Sequence, residues 1–336
     1  MPGCTAVTLI RPVLKNYDWG DTSFIPGLLG MPTTNEPIAE AWFGTHPTGE
    51  AMLADGRPLS SLTGPLPFMV KFIAAARPLS LQVHPSLAQA RDGFARENAA
   101  GLALDHPQRN YRDDSDKPEL LVALTPFSAL CGFHDPVATT GWFRALGWTE
   151  LADALEDLGL EGFVRLTLSG DTHGGQRLSV PANLPPWAAE LHAAFPNDAA
   201  VLVALLMHWV ELSPGECLAL DAGVLHAYLS GCAVEVMNGS DNVIRAGFTT
   251  KHCDRDELLR ITSFEPSGSP IKRPDNGVYP STGSYRLTAH DAGSVINATQ
   301  TTIIVTTTGE SHALLAGETY PVSAGTAFAA TAGTPR

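Results

Sequence analysis

Gly215-Glu216-Cys217-Leu218-Ala219-Leu220-Asp221-Ala222-Gly223 returns near the end of the chain as Gly317-Glu318-Thr319-Tyr320-Pro321-Val322-Ser323-Ala324-Gly325. Both segments read as a turn, a short strand and a second turn. The chain holds 31 glycines and 26 prolines in 336 residues. They are spread along its length, which favours many short strands over long helices. Repeated short strands between Gly turns predict a mainly β chain built of two related jelly-roll barrels. In this alignment His226 falls opposite Phe328. The first barrel is therefore the one expected to hold a metal, and the second is expected to be structural.

Outside the repeat, Val7-Thr8-Leu9-Ile10 and Phe68-Met69-Val70-Lys71-Phe72-Ile73 read as strands. A helix is expected from Pro85 to Ala100, with Ser86 as its N-cap and Gly101 as its stop. Strand character returns over 120–133. Trp142, Phe143, Leu146, Leu151, Leu155 and Leu158 then recur at helical spacing. A second helix is expected to open at Asn197-Asp198 and run through Ala204, Leu205, His208 and Trp209, with strands resuming from Glu216. Asp254 and Glu257 form a capping-box pattern for one more helix. The expected organisation is a first jelly-roll barrel of residues 1–135 plus 213–260, an α-helical insert at 136–212, and a short second β domain without metal at 261–336.

The formal net charge of -14 argues against nucleic acid and against an anionic membrane surface as partners. The longest apolar run, Val201 to Met207, is far short of a membrane span. Five cysteines, Cys4, Cys131, Cys217, Cys232 and Cys253, are an odd number without a C-x-x-C pair. A disulfide framework and a cysteine zinc site are both disfavoured. Arg11 and Pro12 interrupt any apolar N-terminal run, so no signal peptide is read and a reducing cytoplasm is the expectation.

Leu81-Gln82-Val83-His84 alternates apolar and polar, as a half-buried strand does. Residues i and i+2 of a strand share a face, so Gln82 and His84 project side by side. Glu119, at the entry to an apolar strand, and His226, after a Gly turn, are candidates to complete a metal site. Two imidazoles and a carboxylate are usual catalytic zinc donors, and a carboxamide adds a neutral fourth. One carboxylate against Zn²⁺ leaves formal positive charge for a developing enolate or enediolate oxygen. Lys71, Lys117, Arg245 and Lys251 each lie beside an apolar or Gly-rich segment, not in a charge run. They are candidates for anion binding, with ordinary salt bridging as the other reading. Glu235 sits within Ala233-Val234-Glu235-Val236-Met237 and is either a general base or the outward residue of an alternating strand. The remaining histidines, His46 among them, are read as structural or surface residues.

Several longer blocks resemble type I phosphomannose isomerases. These are Asn16-Tyr17-Asp18-Trp19-Gly20, Glu40-Ala41-Trp42-Phe43-Gly44-Thr45-His46-Pro47, Arg77 to Pro85, Lys117-Pro118-Glu119-Leu120, His226-Ala227-Tyr228-Leu229 and Ser240 to Lys251. They occur in the family's order and span most of the chain. The resemblance implies a cupin-type fold with a helical insert and one Zn²⁺ per chain. It also implies an isomerase acting on the sugar phosphates mannose 6-phosphate and fructose 6-phosphate. By motif position, Gln82, His84, Glu119 and His226 would bind zinc, and Arg245 would be the catalytic arginine. Lys117 and Glu235 would lie in the active-site pocket. Lys71, Tyr228, Asp241, Lys251 and Trp19 would contact substrate. Asp116 stands where many bacterial members place a histidine, so that histidine's proton-transfer role does not carry over. Thr250 replaces the usual proline before Lys251.

The expected chemistry is aldose–ketose isomerisation through a cis-enediol. The base stays open between Glu235, Lys117 and a water at the metal. A non-catalytic sugar-phosphate sensor on the same scaffold and an iron-dependent cupin oxygenase are the rival readings. The expected assembly is a monomer.

Overall fold

The structure is a computed structural model that describes residues 7–333. Cys4 lies outside the described residues, and the other four cysteines are free. The strand His226–Asn238 decides how the larger sheet closes. Its first residues pair with Phe127–Phe133, and its later residues lie between Phe68–Ala75 and Glu119–Ala123. The change of partner falls at Gly231, whose φ is +112°. A Cβ there would sit 2.6 Å from the Pro126 carbonyl oxygen, so the corner requires glycine.

Alternation along these strands makes two faces. One face packs Ile73, Leu121, Phe127, Val210, Leu218 and Tyr228 into the interior of the first barrel. The other buries Phe72, Leu120, Val122 and Val234 against Leu287, Ile303, Val305 and Phe328 of the C-terminal sheet. Each such large side chain contributes roughly 1.5–3 kcal/mol by leaving water, so this layer holds the two sheets together. The six-stranded C-terminal sheet also takes in Thr8–Arg11 and Met52–Leu53 from the start of the chain. Its far face meets the ribbon of Val295–Asn297 and Thr319–Pro321 across Ile296, Ile304, Leu314 and Val322.

The sequence repeat has a repeated geometry. Its two strands are Cys217–Leu220 and Thr319–Pro321. The bounding glycines, Gly215, Gly223, Gly317 and Gly325, all take left-handed φ values, at +87°, +81°, +91° and +63°. The aligned pair diverges in direction: His226 points into the first barrel beside Gln82, whereas Phe328 packs into the layer between the sheets.

The helical segment holds Pro136–Ala145, Thr149–Ser169, Pro186–Ala194 and Ala200–Ala204. The helix expected to continue through His208 and Trp209 ends instead at Ala204, and a strand runs over Met207–Leu212. Val210 and Leu212 are buried while Trp209 and Glu211 are exposed, a period of two that fits the edge of Phe127–Phe133. Ser86 caps Leu87–Ala99 with a full capping box. The second expected box is half formed. Asp254 accepts from the Glu257 N–H (3.0 Å), but the Glu257 side chain turns away to Arg260 Nε (2.9 Å), Arg96 (2.9 Å) and the Tyr111 hydroxyl.

Burial alone would raise the Glu257 pKa, but hydrogen bonds from Arg260 and Tyr111 outweigh it and hold the carboxyl near 2, below its ordinary 4.5. A carboxyl depressed by folding stabilises the native state above its unfolded pKa and loses that contribution as pH falls to its folded one. Glu257→Gln should therefore lower Tm at neutral pH. Thermal melts should show its difference from wild type shrinking as pH falls from about 4.5 toward about 2.

Candidate metal centre and active site

Three buried side chains, His84, Glu119 and His226, bring one ligand atom each within 4.8 Å of one another. They come from three places in the first barrel. Gln82 is central in Leu81–Val83, and His84 follows one residue past the strand. Glu119 opens Glu119–Ala123, and His226 opens His226–Asn238 and pairs in register with Gln82. The Glu119 carboxylate spans the two rings, with Oε1 3.4 Å from His84 Nε2 and Oε2 3.6 Å from His226 Nε2.

Each imidazole is oriented from behind. His84 Nδ1 donates to the Asn242 carbonyl (2.8 Å), and His226 Nδ1 donates to the Val224 carbonyl (2.9 Å). A proton on Nδ1 leaves the Nε2 lone pair facing the centre, the usual outer-shell arrangement of metal-binding histidines. His84 Nε2 is buried with no hydrogen-bond partner among the described residues. Burial, then Lys117, pushes the His84 pKa down, and burial, then His84, takes His226 to about 4. Both rings are therefore neutral ligands at physiological pH. Burial acts to raise the Glu119 pKa, but Lys117 and His84 overcome it and hold the carboxyl well below 4.5. The Gln82 amide nitrogen lies 3.4 Å from His226 Nε2, and a half-turn of that amide presents Oε1 to the same centre. This donor set fits Zn²⁺.

A second charged cluster adjoins the first. Lys117 Nζ is 2.8 Å from Glu119 Oε1. Lys71 is paired in register with Glu235 on one side and Trp42 on the other. Its Nζ lies 3.2 Å from Glu235 and 3.9 Å from Glu40, and over the Trp42 ring at 5.3 Å. Burial would lower the Lys71 pKa, but Glu40 and Glu235 raise it, so the amine stays charged. Burial and then Glu119 push Glu235 up to about 7. The Tyr228 hydroxyl donates to Glu235 (2.9 Å) and lies 3.4 Å from Glu119. Burial and Glu235 hold its pKa well above 10, so it remains a donor.

The remaining expected residues are linked by charge: Tyr17 feels Glu40, Lys71, Asp241 and Arg245, and Lys251 feels Arg245. Arg245 lies on Ile244–Gly247, opposite Gln82, and burial lowers its pKa. Lys251 Nζ sits over the Tyr17 ring at 5.6 Å, and Trp19 stacks on the same ring at 5.6 Å. The Asp241 N–H donates to Asp113 (2.9 Å), and its carboxylate is 3.7 Å from His46 Nε2. His46, expected to be structural or at the surface, is buried beside the site, and burial pushes its pKa down. Sequence reasoning also passed over Glu40, Tyr17, Arg112 and Asn242. Glu40, His46 and Tyr17 lie in the quoted family blocks, which was the available signal. Asn242 lies in the block Ser240 to Lys251, where it accepts from the Arg112 N–H (2.7 Å) and donates to the Asp113 carbonyl (2.9 Å). Asp116, at the departure from the family pattern, accepts from Asn238 Nδ2 (3.0 Å).

The helical segment reaches the site through Asp198. Its carboxylate accepts from the Phe248 N–H (2.6 Å), where φ is +58°. A non-glycine residue held there stores about 1–3 kcal/mol of strain. A Cβ on Gly247 would lie 2.4 Å from Ala200 Cβ, so glycine lets the Arg245 strand close on the helix.

Fold and site define a cupin-type scaffold with a metal centre beside a buried lysine–carboxylate pocket. Residues 59–136 match the family described as phosphomannose isomerase type I, catalytic domain. The mannose-6-phosphate isomerase of Salmonella typhimurium is 34% identical over 290 residues, covering 75% of this chain and 74% of that protein. That of Homo sapiens is 30% identical over 323 residues, covering 76% and 73%. The solved apo form of the Salmonella typhimurium enzyme superposes with a TM-score of 0.81 at 27% identity, covering 98% of this chain and all of that one. A zinc-bound mannose 6-phosphate isomerase structure gives 0.78 at 26% identity with the same coverage. The chain belongs to the mannose-6-phosphate isomerase family.

Metal analysis after dialysis should find one zinc per chain in wild type. Glu119→Gln and His84→Ala should lose it, while Glu235→Gln, outside the donor set, should keep it.

Proposed function

We propose that this protein is a zinc-dependent aldose–ketose isomerase interconverting D-mannose 6-phosphate and D-fructose 6-phosphate. The carrying observation is the pair of neutral imidazoles, each fixed by a backbone carbonyl, aimed at one buried carboxylate next to a cluster of lysines. The family of the chain supports the same reading.

Gln82, His84, Glu119 and His226 would hold the zinc. When bound, zinc supplies Lewis-acid polarisation of the oxygens at C1 and C2 of the sugar. Glu235 is our choice for the base. Burial raises its pKa, which suits a group that takes the C2 proton and returns it to C1. Loss of that proton moves its electron pair into a C1–C2 double bond and leaves negative charge on O1; as the O2 hydroxyl proton passes to O1 and the proton on Glu235 adds to C1, the carbonyl re-forms at C2. Tyr228 orients the Glu235 carboxylate by donating to it. Lys117 would donate to the sugar oxygens, and Arg245 would stabilise the developing charge on them. Lys251 and Arg112, which lie near Arg245, suit the phosphate, with Trp19, Asp241 and Lys71 bordering the sugar.

The first barrel, residues 1–135 plus 213–260, is proposed as the catalytic unit, with 136–212 bracing it and 261–336 backing it. Thr8–Arg11 and Met52–Leu53 would then be strands that the catalytic unit lends to the C-terminal sheet. A monomer is proposed as the working form. Free cysteines agree with a reducing cytoplasm as its compartment. Among the described residues, no helix is long and apolar enough to cross a membrane.

A coupled assay of mannose 6-phosphate turnover should lose activity on chelation and regain it with zinc. Full turnover by rigorously metal-free protein would refute the proposal. Arg245→Ala should lower kcat by about 10²–10³-fold with zinc content unchanged. Glu235→Gln should lower kcat by about 10²–10⁴-fold and abolish exchange of the C2 proton with deuterated solvent. Retained exchange would assign the base to another group.

A further inference from the structure

We propose that Asp198, in the helical segment, is a positioning residue for the isomerase reaction. It fixes the backbone between Arg245 and Lys251 and so sets where these two cations point. This role rests on the isomerase function proposed above.

Three observations place the control at one carboxylate. The first is strain. Phe248 takes a φ of +58°, and Asn276 is the other non-glycine residue with positive φ among the described residues. Asparagine tolerates that region, whereas a bulky residue there is an outlier that its surroundings must impose. The second is that strand pairing does not impose it. Ile244–Gly247 pairs with Leu81–Val83, but the register shifts between Arg245 and Gly247, and the strand ends at Gly247. The third is how Asp198 spends its two oxygens. Oδ1 accepts from the Ala200 N–H (2.9 Å), closing a turn at the start of its own helix, and Oδ2 crosses to the Phe248 N–H (2.6 Å). The turn needs only the first bond. The second is a charge-assisted bond from the helical segment to the barrel.

The surroundings concentrate the effect on the site. A Cβ on Gly247 would meet both Asp198 oxygens at 2.9 Å, so the carboxylate rests on the chain two residues past Arg245. The Phe248 ring packs on Phe195 at 5.3 Å, a second anchor from the same helical segment. Cys253, two residues past Lys251, is influenced by Asp198 on one side and Arg245 on the other. Without the Asp198 acceptor, Phe248 can relax toward negative φ. That rotation moves the segment carrying Lys251 and frees the end of the Arg245 strand.

Steady-state kinetics of the zinc-loaded full chain tests this. Asp198→Ala should lower kcat for mannose 6-phosphate by about 10- to 100-fold and raise KM, with zinc content unchanged. Asp198→Asn, which keeps one acceptor oxygen, should recover part of the loss. Leu155→Ala, a core change in the same helical segment, should lower Tm by at least as much and leave kcat and KM near wild type. In an Arg245→Ala background, Asp198→Ala should cost little further kcat, because it acts through Arg245. Unchanged kcat and KM in Asp198→Ala, an equal kcat loss in Leu155→Ala, or fully additive losses with Arg245→Ala would overturn the proposal. A wild type that turns over no mannose 6-phosphate would overturn the isomerase function and this role with it.

Discussion

A carboxylate buried between two neutral imidazoles is an unstable arrangement unless a positive charge answers it. Glu119 is 1% exposed, and Lys117 meets it at 2.8 Å. Lys117 is itself buried, so neither charge can turn to water. Taking an isolated charge out of water costs several kcal/mol even after relaxation. Three buried carboxylates, Glu40, Glu119 and Glu235, share two buried lysines, Lys71 and Lys117. One negative charge is in excess. A divalent cation at the imidazoles reverses that imbalance, and a raised Glu235 pKa relieves it when the cation is gone.

The surrounding backbone serves this cluster. Carbonyls of Asn242 and Val224 fix the two imidazole tautomers. The Asn242 side chain ties the segment before Lys117 to the segment before Arg245 through Arg112, Asp113 and Ser115. Asp198 holds the left-handed turn at Phe248, so the helical segment sets the end of the Arg245 strand. A site assembled from strand ends and clamped loops keeps its donors in place before any ligand arrives, which is what charge stabilisation at a reacting centre requires.

Much of this was legible in the chain. Gln82 and His84 read as side-by-side donors because a strand has a period of two, and the register of Gln82 with His226 carries that through. The Gly215–Gly223 repeat was legible because left-handed turns select glycine. The strand Met207–Leu212 was hidden, because an apolar run from Val201 to Met207 reads the same for a helix or a strand until an edge pairs with it. His46 read as structural because its partner Asp241 is remote in sequence, although the block that holds it matched the family pattern.

The residue types alone determined the chemistry available: imidazoles, carboxylates and lysines in apolar strands, with glycine wherever the chain must turn left-handed. Only the tertiary structure decided which of them meet. Cross-strand register set Lys71 against Glu235, and the corner at Gly231 let one long strand serve both the metal centre and the lysine pocket. The reason is physical. Local sequence governs backbone torsions and strand faces, whereas burial and charge pairing depend on neighbours that only the closed barrel brings within a few ångströms.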